Sequence, residues 1–154
     1  MLGIGDKFPD FKLQDQDDNW VTKSDTLGSK TIYYFYPKDD TPGCTVEACE
    51  IRDSMPHFEG VKVFGISPDS AKSHKKFVDK FSLNFRLLSD IDKLLCEACG
   101  VWSVKSMYGK AYMGVERTTF LVDEKGVVIK VWNKVKPQGH SAELREALSA
   151  QMSA

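Results

Sequence analysis

Thr31-Ile32-Tyr33-Tyr34-Phe35-Tyr36-Pro37-Lys38-Asp39-Asp40-Thr41-Pro42-Gly43-Cys44-Thr45-Val46-Glu47-Ala48-Cys49 decides how this chain is read. Residues 31–36 form an apolar, aromatic run, the pattern of a buried central strand. Pro37, Pro42 and Gly43 break that run and stiffen the loop that follows. From Thr45 onward Val46, Ala48, Cys49, Ile51 and Met55 fit helical spacing, with Glu47, Glu50 and Asp53 expected on the solvent side. Cys44 thus stands where the helix begins. The free N–H groups and dipole of a helix N-terminus favour an anion, and the thiolate is the reactive form of cysteine. Thr41, three residues upstream, can turn its hydroxyl back toward the sulfur. A cysteine in a Pro/Gly loop can equally be a small apolar residue. The combination of Pro37, Thr41 and Cys44 between a strand and a helix is what points to an activated thiol.

Working outward, residues 7–22 read as two short extended pieces around a polar turn, an N-terminal β-hairpin. Ser24 or Asp25 is placed to cap a short helical turn before Gly28. Residues 61–66 read as a second central strand. Ser67-Pro68-Asp69-Ser70 is a turn carrying a cap for a basic-faced helix over 71–81, with Phe77 and Phe81 inward and its lysines solvated. Residues 85–88 form a short strand. Asp90 or Asp92 caps a helix ended by Gly100. Residues 102–115, with two glycines, two tyrosines and two methionines, read as an irregular or extended excursion. Residues 118–122 and 127–132 flank the turn Asp123-Glu124-Lys125-Gly126 as a hairpin, and Ser141 is placed to cap the last helix. Strands alternating with helices imply a parallel core, to which the last hairpin adds antiparallel strands. The expected fold is α/β and thioredoxin-like: a mixed central sheet, helices on both faces and the N-terminal β-hairpin, in one domain over 1–154.

A chain of 154 residues with formal net charge −1 can bury roughly two thirds of its unfolded surface. It has no basic block for nucleic acid and no stretch long and apolar enough for a membrane span. No secretory signal opens it, so a cytoplasmic location is expected. Four cysteines (Cys44, Cys49, Cys96, Cys99) in such a chain speak for catalytic, redox or metal roles, or for buried thiols, rather than a disulfide framework.

Pro37-x-x-x-Thr41-x-x-Cys44 resembles the peroxidatic-cysteine motif of the peroxiredoxins. The longer run from Phe35 to Cys49 with Arg52-Asp53 is similar to the bacterioferritin-comigratory protein, or peroxiredoxin Q, subfamily. The likeness continues through Val63-Phe64-Gly65-Ile66-Ser67, Leu87-Leu88-Ser89-Asp90, Gly100-Val101-Trp102 and Arg117-Thr118-Thr119-Phe120-Leu121-Val122-Asp123, so it covers nearly the whole chain. It implies a thiol peroxidase in which Cys44 attacks a hydroperoxide and becomes a sulfenic acid. Thr41 would hydrogen-bond the thiolate and the peroxide, Arg117 would supply positive charge, and Pro37 would shield the pocket. Glu47 is expected to tune the arginine or the helix dipole rather than act as a base. The implied partners are a hydroperoxide substrate and a thioredoxin-type reductant. No cofactor, metal, nucleic acid or membrane is implied, and a monomer is expected.

A sulfenic acid is usually resolved by a second thiol, and the resemblance makes Cys49 that residue in one branch of the subfamily. Other branches carry it on the next helix, near Lys80, but residues 76–83 hold no cysteine. In an intact helix, positions five apart have Cα atoms more than about 8 Å apart, beyond the roughly 4.4–6.8 Å of a disulfide. The helix is therefore expected to unwind in its first turns when the bond forms. Cys49 can otherwise be a plain buried helix residue. Cys96-x-x-Cys99 is open to three readings: buried structural thiols, an auxiliary disulfide, or half a zinc site. His57, His74 and His140 are scattered and read as incidental. A thiol–disulfide oxidoreductase or a redox sensor without peroxidase turnover is the alternative, although the former usually places C-x-x-C at the strand–helix junction.

Overall fold

The computed structural model describes residues 1–153, in the order β1 (Lys12–Asp15), β2 (Trp20–Thr22), β3 (Lys30–Phe35), α1 (Pro42–Ser54), β4 (Val61–Ser67), α2 (Ala71–Phe81), β5 (Arg86–Ser89), α3 (Leu94–Ala98), β6 (Trp102–Met107), β7 (Lys110–Val115), β8 (Thr118–Val122), β9 (Val128–Trp132) and α4 (His140–Ser153). Seven strands form one sheet in the order β2-β1-β5-β4-β3-β8-β9. β3 pairs parallel with β4, and β4 with β5, while β8, β9 and the β1–β2 hairpin join antiparallel. This is the mixed, thioredoxin-like sheet expected from the order of elements.

The unbroken apolar run of β3 follows from its central place. Ile32, Tyr34 and, just beyond the strand, Tyr36 enter one core with Ala48 and Ile51 of α1, Phe77 of α2 and Leu144 of α4. Tyr33 and Phe35 enter the other with Phe8, Phe120 and Leu95 of α3. Both faces are buried, so alternation vanishes. Each such side chain contributes roughly 1.5–3 kcal/mol by leaving water. Gly65 on β4 is required by this packing: a Cβ there would lie 2.7 Å from both Leu87 and the Tyr34 ring.

Several local expectations hold and others shift. Ser70 caps α2, its Oγ accepting from the Ser73 N–H at 3.1 Å. Asp90 anchors α3 by accepting from the Leu95 and Cys96 N–H groups, while Asp92 is exposed. The helical turn at Lys23–Thr26 is capped by Thr22, not by Ser24 or Asp25; the Asp25 carboxylate accepts from the Thr22 N–H and hydroxyl. α4 begins at His140, so Ser141 lies inside it. Residues 102–115 take the extended of the two expected forms, as a separate two-stranded hairpin, β6–β7.

Candidate active site

Tyr36 keeps the strand register one residue past β3, its N–H donating to the Ile66 carbonyl at 3.0 Å. The chain then leaves the sheet at Pro37, which is half-buried. Asp40 takes φ 53°, a left-handed conformation that Asp tolerates better than most residues. The Thr41 hydroxyl donates to the Lys38 carbonyl at 2.9 Å, so it closes the loop instead of turning to the sulfur as expected. The Thr41 carbonyl accepts the first bond of α1, from the Thr45 N–H at 2.8 Å. Pro42 occupies the first turn, where its missing N–H costs nothing. The N–H groups of Gly43 and Cys44 precede that first bond and are left outside the helical ladder.

Cys44 is therefore in the first turn of α1, as expected, and 2 % exposed. Arg117 reaches it from the short connection between β7 and β8. Nη2 donates to Cys44 Sγ at 3.2 Å, and Nη1 donates to Glu47 Oε1 at 2.6 Å. Cys44 and Glu47 are three apart and share a helix face, so one planar guanidinium serves both. Glu47 was expected on the wet side, but it is 1 % exposed. Arg117 arrives from seventy residues away, and local periodicity carries no trace of it. Glu47 is bonded to the arginine, as the tuning role requires.

The electrostatics are finely opposed. Burial works against the Arg117 charge, yet Glu47 and Cys44 together hold its pKa above the ordinary value. Burial raises Glu47 to about 7 against the opposite pull of Arg117. Glu47 Oε2 and the Tyr34 hydroxyl are buried without hydrogen-bond partners among the described residues. Lys105 of β6 is a further cation beside the site: burial, then Arg117, lowers its pKa, while charge on Cys44 raises it. The sequence reading missed Lys105, because only the β6–β7 hairpin brings it there.

Glu47 carries a stability signature. Its folded pKa is raised, so its contribution is fully present below about pH 4.5 and is lost as pH rises through about 7. Chemical denaturation of wild type and Glu47→Gln should show the glutamine variant gaining on wild type by up to about 3 kcal/mol between pH 5 and pH 8. A pH-independent difference between the two would contradict the burial of this carboxyl.

Pro42, Gly43 and Val46 of α1 face Lys136 and Pro137 across an open cavity of about 500 Å³. Cys49 lies farther along α1, half-buried, and both it and Cys44 are free thiols. Cys96 and Cys99 are fully buried in the core behind the sheet. Burial, and then Asp90, pushes both thiols far above the ordinary range, which fits buried structural thiols. His74 and His140 are not incidental: both are wholly buried and hydrogen-bonded.

Residues 4–131 match the family model described as the AhpC/TSA family. The chain is 51 % identical to a putative peroxiredoxin bcp of Coxiella burnetii over 145 residues, 93 % of this chain and 96 % of the relative. It is 48 % identical to peroxiredoxin Bcp of Bacillus subtilis over 149 residues, 96 % and 95 % of the two chains. Among solved structures, a cysteine-to-serine mutant of Xylella fastidiosa PrxQ superposes with TM-score 0.93 at 36 % identity, covering 99 % of this chain and 98 % of that one. The bacterioferritin comigratory protein of Xanthomonas campestris, described for its alkyl peroxide reduction activity, superposes with TM-score 0.89 at 39 % identity over 98 % of each chain.

Proposed function

Because this chain belongs to the AhpC/TSA family, within its Bcp/PrxQ branch of peroxiredoxins, we propose that Cys44 is the peroxidatic cysteine of a thiol peroxidase acting on hydrogen peroxide and organic hydroperoxides. The observation that carries this reading is the Arg117 guanidinium at 3.2 Å from the sulfur of a cysteine in the first turn of α1. The thiolate attacks the terminal peroxide oxygen. The S–O bond forms, the O–O bond breaks, and the leaving hydroxide or alkoxide takes up a proton. Arg117 holds negative charge on the sulfur before attack and on the oxygens during it. Thr41, with its hydroxyl proton committed to Lys38, retains oxygen lone pairs that can accept from an incoming peroxide O–H. Pro37 forms part of the wall that limits water.

Cys49 then resolves the sulfenic acid. Its sulfur attacks Cys44 Sγ, water leaves, and an intramolecular disulfide results. A thioredoxin-type dithiol returns both thiols by two-electron reduction. A disulfide within one chain needs no second subunit, which favours a working monomer, and a thioredoxin-dependent cycle suits the cytoplasm. Among the described residues no helix is long and apolar enough to cross a membrane. NADPH consumption with thioredoxin, its reductase and peroxide tests the reading. Wild type should turn over only when peroxide is present, and Cys44→Ser should be inactive. Peroxide-independent turnover of a disulfide substrate would instead favour a thiol–disulfide oxidoreductase, and a Cys44→Ser variant that stayed active would overturn the assignment.

A further inference from the structure

The loop that delivers Cys44 is bolted to α2 through a buried polar network that touches neither the sulfur nor the open cavity beside Pro42. Asp39 is 7 % exposed. Its Oδ1 accepts from the Tyr36 hydroxyl at 2.5 Å; its Oδ2 accepts from the Ser73 hydroxyl at 2.8 Å and from His74 Nδ1 at 2.7 Å. The Asp39 N–H donates to Asp69 Oδ2 at 2.8 Å, and that same oxygen accepts from the Ser67 hydroxyl at 2.6 Å. His74, wholly buried, also meets the Leu88 carbonyl through Nε2 at 3.0 Å. Both ring nitrogens are thus engaged, Nδ1 with the Asp39 carboxyl and Nε2 with the Leu88 carbonyl. A buried carboxyl group needs hydrogen-bond partners, and Asp39 has Tyr36, Ser73 and His74. The donor atoms of Asp39, Asp69 and His74 lie within 4.8 Å of one another. Each is already engaged, so the cluster is a closed network and not a cation site.

Ser67 of β4 backs Asp69, and the Leu88 carbonyl of β5 backs His74. Ser73 and His74 of α2, Asp69 of the turn before α2, and Tyr36 just beyond β3 therefore converge on Asp39. Beyond it Asp40, in its left-handed conformation, is paired with Lys80 of α2 at 2.8 Å, and Thr41 opens the helix. We propose that the Asp39–His74 pair is a positioning clamp, through which α2 sets the 37–41 loop and hence the placement of Cys44 for attack on peroxide. The inference rests on Cys44 being the nucleophile. Displacement of a reacting group by about 1 Å can cost on the order of a hundredfold in rate, so a residue five positions away has leverage without touching substrate.

Two isosteric half-replacements separate positioning from packing. Asn at 74 places an amide N–H near the former Nδ1 and can still donate to Asp39. Gln places one near the former Nε2 and can serve only Leu88. By stopped flow, His74→Gln should react with hydrogen peroxide about tenfold or more slowly. His74→Asn should stay within about fivefold of wild type, the worth of one neutral hydrogen bond. Alkylation by iodoacetamide, which needs no peroxide alignment, should be unchanged in both. Equal peroxide rates for the two variants, or alkylation falling in parallel with peroxide, would overturn the proposal. If either variant fails to fold, Ser73→Ala removes a second donor to Asp39 Oδ2 with little loss of volume. It should slow peroxide by about fivefold, and a wild-type rate there overturns the proposal as well. Cys44→Ser, run alongside, tells the two failures apart: if it still reacts, the nucleophile is misassigned; if it is inert while His74→Gln matches His74→Asn, only the clamp fails.

Discussion

Arg117→Met is expected to slow the reaction of Cys44 with hydrogen peroxide by about two to three orders of magnitude, the usual cost of removing a preorganised donor from developing negative charge. The argument is geometric. Nη2 sits 3.2 Å from Sγ, and Nη1 is held by Glu47 Oε1 at 2.6 Å, so the guanidinium plane is fixed before substrate arrives. Methionine fills a similar volume but supplies neither charge nor donors. A second consequence separates chemistry from folding. The variant leaves Glu47 buried with no partner for either oxygen, since Oε2 already lacks one. Leaving a buried group unpaired costs about 1–3 kcal/mol. Arg117→Met/Glu47→Gln should therefore recover part of the lost stability in a urea melt and none of the lost peroxide rate. A single variant within about threefold of wild type in the stopped-flow peroxide reaction would remove Arg117 from its proposed role, since one donor is worth far more than that. Recovery of rate in the double variant would show that the arginine acts only by compensating Glu47.

What the sequence disclosed, and what it hid, divides by range of interaction. β3 was legible because burial on both faces leaves an unbroken apolar run, and the Ser70 cap because its bond to Ser73 spans three residues. The junction at Cys44 was legible because Pro42 and Gly43 punctuate the chain there. Glu47 was misjudged because its helix face is wet by local count and is made dry by Arg117. His74 looked incidental on a lysine-rich helix; its partners Asp39 and Leu88 lie 35 and 14 residues away. The Arg117 role came from resemblance, since nothing local distinguishes it from a surface arginine. The β6–β7 hairpin was blurred for a different reason. Its turn uses Tyr108 and Gly109, both at positive φ, a pairing that sequence signals favour less than Asn-Gly. Val104, Tyr112 and Met113 on its strands are exposed, so the alternation that marks a half-buried strand is absent.

Oxidation of Cys44 and Cys49 to a disulfide is expected to unwind the first turns of α1. Amide exchange across residues 44–50 should speed up by at least about two orders of magnitude, because protection there falls from that of a packed helix toward that of an open segment. In the reduced protein α1 is intact from Pro42 to Ser54, with Cys44 buried and Cys49 half-buried. Their Cα atoms on such a helix lie more than about 8 Å apart, whereas a disulfide spans roughly 4.4–6.8 Å. The backbone must give, and the structure indicates where. On the loop side Asp39 is held by Tyr36, Ser73 and His74. On the far side Arg52 Nη1 donates to the Phe81 carbonyl at 2.6 Å and the Arg52 carbonyl accepts from Asn84 Nδ2 at 3.2 Å. Between these anchors the helix is tied by the two Arg117 bonds and by the Gly139 N–H to Glu50 Oε1 at 2.9 Å. Each of the three ends on a side chain of α1, and none is a hydrogen bond of the sheet. The change should therefore stop near Ile51, whose large side chain is fully buried, whereas Ala48, equally buried, has only a methyl group to withdraw, and should leave exchange in β3 and α2 unaltered. Cys49→Ser should show neither the fast exchange nor the disulfide after one equivalent of peroxide, while still losing its Cys44 thiol to titration. Equally slow exchange in reduced and oxidised wild type would mean that the sulfurs meet by another route, or that Cys49 is not the partner of Cys44.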